Sequence, residues 1–169
     1  MRNLRIIELV GAVLLLALLS DPVLAETRNA RLDGFQEVPA NSTTGRGVFI
    51  ARISEDEESI QFVLSYSDLE FAASGAHIHL GQPDVDGGIV IHLCGTGGKP
   101  ACPMFSGTVT DTLDASDVVA LPAQGIAAGE LGEVIRAIRG RVTYVNVHTG
   151  SEGPPVIGFP NGEIRGQIR

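Results

Sequence analysis

The chain contains no tryptophan and a single lysine, Lys99, among its 169 residues. Phenylalanine and tyrosine together make up only 5 % of the sequence. With so few large rings, we expect neither a sugar-stacking surface nor a large aromatic hot spot for a protein partner. The formal net charge of -8 repels phosphate groups, so neither nucleic acid nor an anionic membrane surface is expected as a partner.

Long apolar runs are also scarce, with one exception near the start of the chain. Residues 9–19 are uninterruptedly apolar and follow two arginines. This length suits the core of a signal peptide and is short for a bilayer span. We therefore predict a secretory signal peptide over residues 1–25 and one mature domain over 26–169. That domain would be periplasmic or secreted, with no membrane span after cleavage; an uncleaved anchor is the alternative.

Only two cysteines occur, Cys94 and Cys102, and glycine, proline and threonine dominate the segment between them. Disulfides are typical of exported proteins, and a disulfide here would close a long turn. We predict a Cys94–Cys102 disulfide. The alternative is a thiolate metal site or a redox pair, but the spacing matches neither the zinc nor the thioredoxin pattern.

Alternation of apolar and polar residues dominates the mature chain and predicts about eight short strands separated by glycine- and proline-rich turns. The strand candidates are residues 31–38, 47–53, 59–66, 76–80, 88–93, 104–110, 141–148 and 162–168. Helical spacing of apolar residues interrupts the pattern at Gly129–Arg139, and Asp114 to Asp117 resembles a capped helical turn. The predicted fold is an all-β antiparallel β-sandwich with a short helical insertion.

Four histidines occur in the chain, and two of them form the pair His77-Ile78-His79. Alternate side chains of a strand point to the same face, so both imidazoles should project together, about 6 to 7 Å apart. His148 ends another strand-like segment far along the sequence. Three imidazoles with an open position suit copper or zinc. We predict a metal site at His77, His79 and His148; the alternative is that they are hydrogen-bonded structural residues.

Three further residues are candidates for roles around this site. His92 is a candidate fourth ligand if the register of its strand turns it toward the pair. Asn146 shares the face of His148 and is a candidate for supporting the ligands through hydrogen bonds. Arg165 is expected either to pair with Glu163 at the surface or to order a ligand or loop near the histidines.

Four segments closely resemble the CHRD domain, a module named for its repeats in chordin that also occurs alone in exported microbial proteins. They are residues 34–39 (GFQEVP), 75–81 (GAHIHLG), 144–149 (YVNVHT) and 160–167 (PNGEIRGQ). The resemblance covers nearly the whole mature chain. It implies a β-rich extracytoplasmic module with a binding role, but no settled activity.

A more limited resemblance is to copper/zinc superoxide dismutase, in which an H-x-H pair, a histidine about a dozen residues later and a late histidine bind copper. It implies a Greek-key sandwich with His77, His79, His92 and His148 as copper ligands and Arg165 as the anion-guiding group. No histidine lies between His92 and His148, so the zinc half of that site is absent. Only a copper-only version fits the sequence.

Two functions are consistent with these features. The favoured one is an exported, non-catalytic CHRD-domain binding module that holds an extracytoplasmic protein or small ligand and carries copper or zinc in its histidine cluster. The alternative is a copper-only enzyme similar to superoxide dismutase. The sequence contains no nucleophile elbow, P-loop or dinucleotide motif that would support another catalytic class.

Overall fold

The structure is a computed structural model and describes residues 25–151 and 155–169. The predicted signal peptide lies outside the described residues, apart from its last residue. The strands and the α-helix found in the described residues are β1 (Glu26–Asp33), β2 (Arg46–Ile53), β3 (Ile60–Ser67), β4 (Ala73–Leu80), β5 (Gly88–Cys94), β6 (Gly107–Leu113), α1 (Leu131–Arg139), β7 (Thr143–Thr149) and β8 (Ile164–Gln167). None of the helices in these two stretches is long and apolar enough to cross a membrane.

The eight strands form one antiparallel sheet in the order β5-β4-β7-β8-β1-β2-β3-β6. Strands β1 to β3 are consecutive hairpin neighbours, and β8 returns from the far end of the chain to lie beside β1, which is a Greek-key arrangement. The sheet curls until its two edge strands approach each other. Lys99, in the loop after β5, lies 2.8 Å from Asp111 of β6. The prediction of an all-β antiparallel fold is confirmed.

The core lies between the two halves of the curled sheet and is formed by alternate residues of each strand. In β2 and β3, Phe49 and Phe62 point inward, and their ring centroids lie 5.9 Å apart. Each is at most 3 % exposed. Burial of such a side chain contributes about 1.5 to 3 kcal/mol, so the alternation itself determines which face of the sheet turns inward.

The first strand begins and ends earlier than the predicted residues 31–38. Strand β1 ends at Asp33, whose side chain accepts hydrogen bonds from the backbone N–H groups of Phe35 and Gln36. These bonds cap a 3-10 turn over Gly34–Gln36. A short polar side chain that caps the following turn competes with strand extension, which explains the difference.

The helical segment and the disulfide agree with the predictions. Helix α1 connects the β6 side of the sheet to β7 and buries Leu131, Val134, Ile135 and Ile138. Asp114 caps the short helical turn that precedes it. Cys94 and Cys102 form a disulfide, which closes the loop between β5 and β6.

Candidate metal centre

Three histidines meet on the outward face of the β4–β7 pair. His77 and His79 lie on β4, where alternation directs both away from the core, and β7 places His148 opposite Gly75. One ring nitrogen from each of the three lies within 4.8 Å of the others. The structure therefore brings together residues that are about 70 positions apart in the sequence, counted from His77 to His148.

Two of the three rings are held by backbone carbonyls. The Nδ1 of His79 donates to the carbonyl of Gly87 at 2.9 Å, and the Nδ1 of His148 donates to the carbonyl of Pro160 at 2.8 Å. A carbonyl can only accept, so the proton of each neutral ring is on Nδ1 and the lone pair is on Nε2. This is the pattern by which proteins orient histidine ligands.

His77 is oriented by a side chain instead. Its Nε2 lies 2.6 Å from the hydroxyl of Thr96, in the disulfide loop. Its Nδ1 and the Nε2 of His79 are buried and have no hydrogen-bond partner among the described residues. Buried polar atoms are normally satisfied, so these two nitrogens mark the cluster as a candidate binding site.

Burial keeps these imidazoles neutral. Loss of solvation lowers the pKa of His77 to about 3, and the neighbouring histidines add to the effect. The same loss of solvation lowers the pKa of His79 to about 4. A neutral imidazole is the form that binds a metal ion, so the group is suited to act as ligands at neutral pH.

His92 lies beside this group but is not part of it. Strand pairing sets it opposite His77, with the ring centroids 4.9 Å apart. Its Nδ1 lies 2.8 Å from the hydroxyl of Thr96, the same oxygen that contacts His77. The group of mutually close nitrogens found in the described residues contains His77, His79 and His148 alone.

A cavity of about 700 Å³ opens over the three rings. Its other described lining residues are mostly small or polar, and no lysine or arginine is among them. They include Gly75, Ser74, Thr96, Asp86, Asn161 and Ser151. The three histidines line this cavity, although the Nδ1 of His77 and the Nε2 of His79 are themselves buried.

Arg165 lies behind the cluster rather than at the mouth of the cavity. It is 1 % exposed. Its guanidinium lies 3.5 Å from the ring centroid of Tyr144, and that ring in turn stacks on His79. It donates to the carbonyls of Gln82 and Val85, at 3.1 and 2.9 Å, in the loop that carries Gly87. This position does not fit an anion-guiding group.

The prediction of a surface ion pair between Glu163 and Arg165 is wrong. Glu163 is fully buried, and its carboxylate accepts hydrogen bonds from the hydroxyls of Thr43 and Thr149 and from the backbone N–H of Glu70. Loops cover this face of β8, so residues that alternation assigns to solvent lie in the interior.

Asn146 lies opposite His77 in the β4–β7 pairing, and its side chain lines the cavity. Its amide donates to the carboxylate of Glu37 at 3.3 Å. Burial raises the pKa of Glu37 to about 8, against the opposing effect of Arg165. A side chain at Gly162 would displace both groups, because its Cβ would lie 2.4 Å from the Asn146 Oδ1 and 2.6 Å from the Glu37 Oε1.

Thr96 and Glu37 are two residues around the cluster that the sequence analysis did not identify. Glu37 falls within the predicted strand 31–38, but β1 ends at Asp33, so both residues lie outside the strands. The one signal for Thr96 is its position inside the predicted disulfide loop, only four residues after His92. Glu37 belongs to one of the segments that resemble the CHRD domain.

The fold and the cluster together define an all-β domain, a curled antiparallel sheet with a histidine-lined cavity on one face. The model of the CHRD domain family matches residues 28–168, and the chain belongs to this family. Neither the curated proteins nor the solved structures include a significant match to the chain.

Proposed function

We propose that the protein is an extracytoplasmic binding module that holds one copper or zinc ion through His77, His79 and His148. The observation that carries the proposal is the convergence of three ring nitrogens within 4.8 Å of one another. Three imidazoles with one open position are a known ligand set for both ions, with zinc–nitrogen bonds of about 2.0 to 2.1 Å. A small rotation of the rings around an ion would bring the nitrogens to that distance.

The cavity supports a role for the ion in ligand binding. The three histidines are among the residues that line the cavity. A bound ion would therefore keep a position for an external ligand, which a purely structural site would close. Hydroxyl and amide groups in the walls would orient that ligand by hydrogen bonds.

The location outside the cytoplasm is supported by two features. The Cys94–Cys102 disulfide is the kind of bond that persists in oxidising compartments. The apolar residues 9–19 have the length of a signal-peptide core. The ligand would then be an extracytoplasmic protein or small molecule.

Metal titration of the full-length chain's exported product, purified without a histidine tag, tests the proposal. We expect one copper or zinc ion per chain in the wild type. His148→Ala and His79→Ala should lose the ion, whereas Gln61→Ala, on the exposed face of β3, should retain it at one per chain and serves as the matched control. The proposal is refuted if the wild type binds no ion, or if His148→Ala and His79→Ala bind it as the wild type does.

A copper enzyme similar to superoxide dismutase is the second candidate. The open cavity favours it, because a small substrate could reach the ion. The cavity walls, however, carry no described lysine or arginine to attract an anion, and Arg165 is buried behind Tyr144. Superoxide consumption by the copper-loaded protein, compared with the copper-loaded His148→Ala variant, decides between binding alone and turnover.

A further inference from the structure

We propose that Thr96 sets the proton positions in the histidine cluster, so that His77 binds the ion through Nδ1 and His92 supports it without being a ligand. This inference rests on the proposed metal function. Thr96 would act as a positioning residue, since its hydroxyl contacts two imidazoles and is not one of the nitrogens that surround the ion.

The proton positions on two of the ligands are already determined. The carbonyls of Gly87 and Pro160 can only accept, so they select the Nδ1–H form of His79 and His148. These two residues would present Nε2 to an ion without any further device.

His77 differs because its partner is a hydroxyl, which can donate or accept. If Thr96 donates to Nε2, the ring proton of His77 is on Nδ1. That N–H would be buried without an acceptor among the described residues and would block binding of an ion. If instead the Nε2–H of His77 donates to Thr96, Nδ1 keeps a lone pair that can bind an ion.

His92 is the second partner of the Thr96 hydroxyl and completes the arrangement that leaves Nδ1 of His77 unprotonated. A hydroxyl has one proton, and the Thr96 oxygen lies 2.8 Å from the His92 Nδ1 and 2.6 Å from the His77 Nε2. When Thr96 donates to His92, its oxygen is left to accept from His77, which is the arrangement that an ion requires. The lone pair of His92 Nδ1 is then used by Thr96, so His92 is not a ligand.

The disulfide loop holds Thr96 in this position. The loop is closed by Cys94–Cys102, and its backbone is fastened by a hydrogen bond from the Lys99 N–H to the Thr96 carbonyl at 3.1 Å. Gly97 has a φ of +62°, and a Cβ there would lie 2.4 Å from the His92 ring. The loop therefore packs directly on His92, which fixes the hydroxyl between the two imidazoles.

Zinc affinity of three threonine variants tests this role. Thr96→Val keeps the shape of the side chain and removes the hydroxyl, and we expect zinc affinity to fall about 10- to 100-fold. Thr96→Ser keeps the hydroxyl and should restore affinity to within about threefold of the wild type. Thr110→Val, on the exposed face of β6, is the matched control and should bind as the wild type does.

The ring protons provide a readout that does not depend on metal binding. Proton–nitrogen correlation spectra of the metal-free protein should show the Nε2–H form for His77 and His92 and the Nδ1–H form for His79 and His148. Thr96→Val should lose this selection at His77. If wild-type His77 carries its proton on Nδ1, or if Thr96→Val changes neither spectrum nor affinity, the role of Thr96 is overturned. If the spectra agree but no ion binds, the proposed metal function fails alone.

Discussion

The two halves of the sheet differ in how far the side chains on their outward faces are exposed to solvent. In β2 and β3 the outward side chains include Ile50 and Val63, which are 44 % and 40 % exposed although they are apolar. In β4 and β7 the outward side chains include His79 and Tyr144, which are 6 % and 2 % exposed although they are polar. Polarity alone therefore does not tell which face of this sheet meets solvent.

Loops explain the difference. The loop after β4 and the segment before β8 fold over the β4–β7–β8 half, and their backbone carbonyls accept hydrogen bonds from His79, His148 and Arg165. Buried donors need such partners, and the loops supply them. The outward face of β2 and β3 lacks a comparable cover in the described residues, and its β-branched side chains suit a strand even when exposed. One half of the sheet therefore has an exposed outward face, and the other has a covered outward face that carries the histidine cluster.

Removal of Arg165 should have the largest effect, because it removes support from the loop that covers one half of the sheet. In Arg165→Met the carbonyl of Val85 loses its side-chain donor, and the carbonyl of Gln82 keeps only the N–H of Val85; an unsatisfied acceptor costs about 1 to 3 kcal/mol, and more when its lost partner is charged. We expect the free energy of unfolding to fall by about 3 kcal/mol, measured by urea denaturation. Zinc affinity should weaken as well, because the same loop carries the Gly87 carbonyl that orients His79.

Arg52→Met is the matched control for this prediction. Arg52 lies on the exposed face of β2. Its replacement should change the free energy of unfolding by no more than about 0.5 kcal/mol and leave zinc affinity unchanged. Equal effects of the two substitutions would show that the loop cover contributes nothing to stability.

The buried carboxyl of Glu37, beside the covered half of the sheet, provides a second test of the difference between the two halves. Its folded pKa of about 8 lies above its usual value of 4.5, so folding favours the neutral form. The stability that this form contributes is complete below pH 4.5 and is lost as the pH rises toward 8. In Glu37→Gln the side chain is always neutral, so the variant should gain stability relative to the wild type across this window, by up to about 1.4 kcal/mol for each pH unit.

Chemical denaturation of both proteins between pH 4.5 and pH 9 measures that difference. Glu58→Gln, at the exposed turn between β2 and β3, is the control and should stay within about 0.5 kcal/mol of the wild type throughout. A constant difference between Glu37→Gln and the wild type would mean that Glu37 ionises as readily in the folded chain as in the unfolded one.

The sequence predicts the exposed half of the sheet better than the half that carries the cluster. Alternation over residues 59–66 closely matches β3, because one face meets the core and the other meets solvent. Of the two alternatives for Arg165, the surface pair with Glu163 was wrong, since loops cover β8 and both residues are buried. Alternation is a local signal, whereas the cover comes from segments distant in the sequence.

The candidate site shows the same division. That His77 and His79 point to the same face of the sheet follows from alternation within one strand. The approach of His148 depends on the pairing of β7 with β4, which the strand-like segment before His148 allows but does not determine. The roles of Thr96 and Glu37 depend on loop placement, which no periodic pattern encodes. Whether the histidines bind a metal stays a prediction.

Stabilisation by bound zinc is the smallest of the three expected effects. It also tests which half of the sheet carries the metal site. Zinc at 100 times its dissociation constant should raise the free energy of unfolding by about 2.7 kcal/mol, because the ion binds the folded chain alone. His148→Ala should remove the gain. Amide hydrogen exchange should slow more in β4 and β7 than in β2 and β3, since an ion held by His77, His79 and His148 restrains local opening of the strands that carry them. Uniform slowing across both halves would place the bound ion elsewhere on the molecule or show that it acts only on global unfolding.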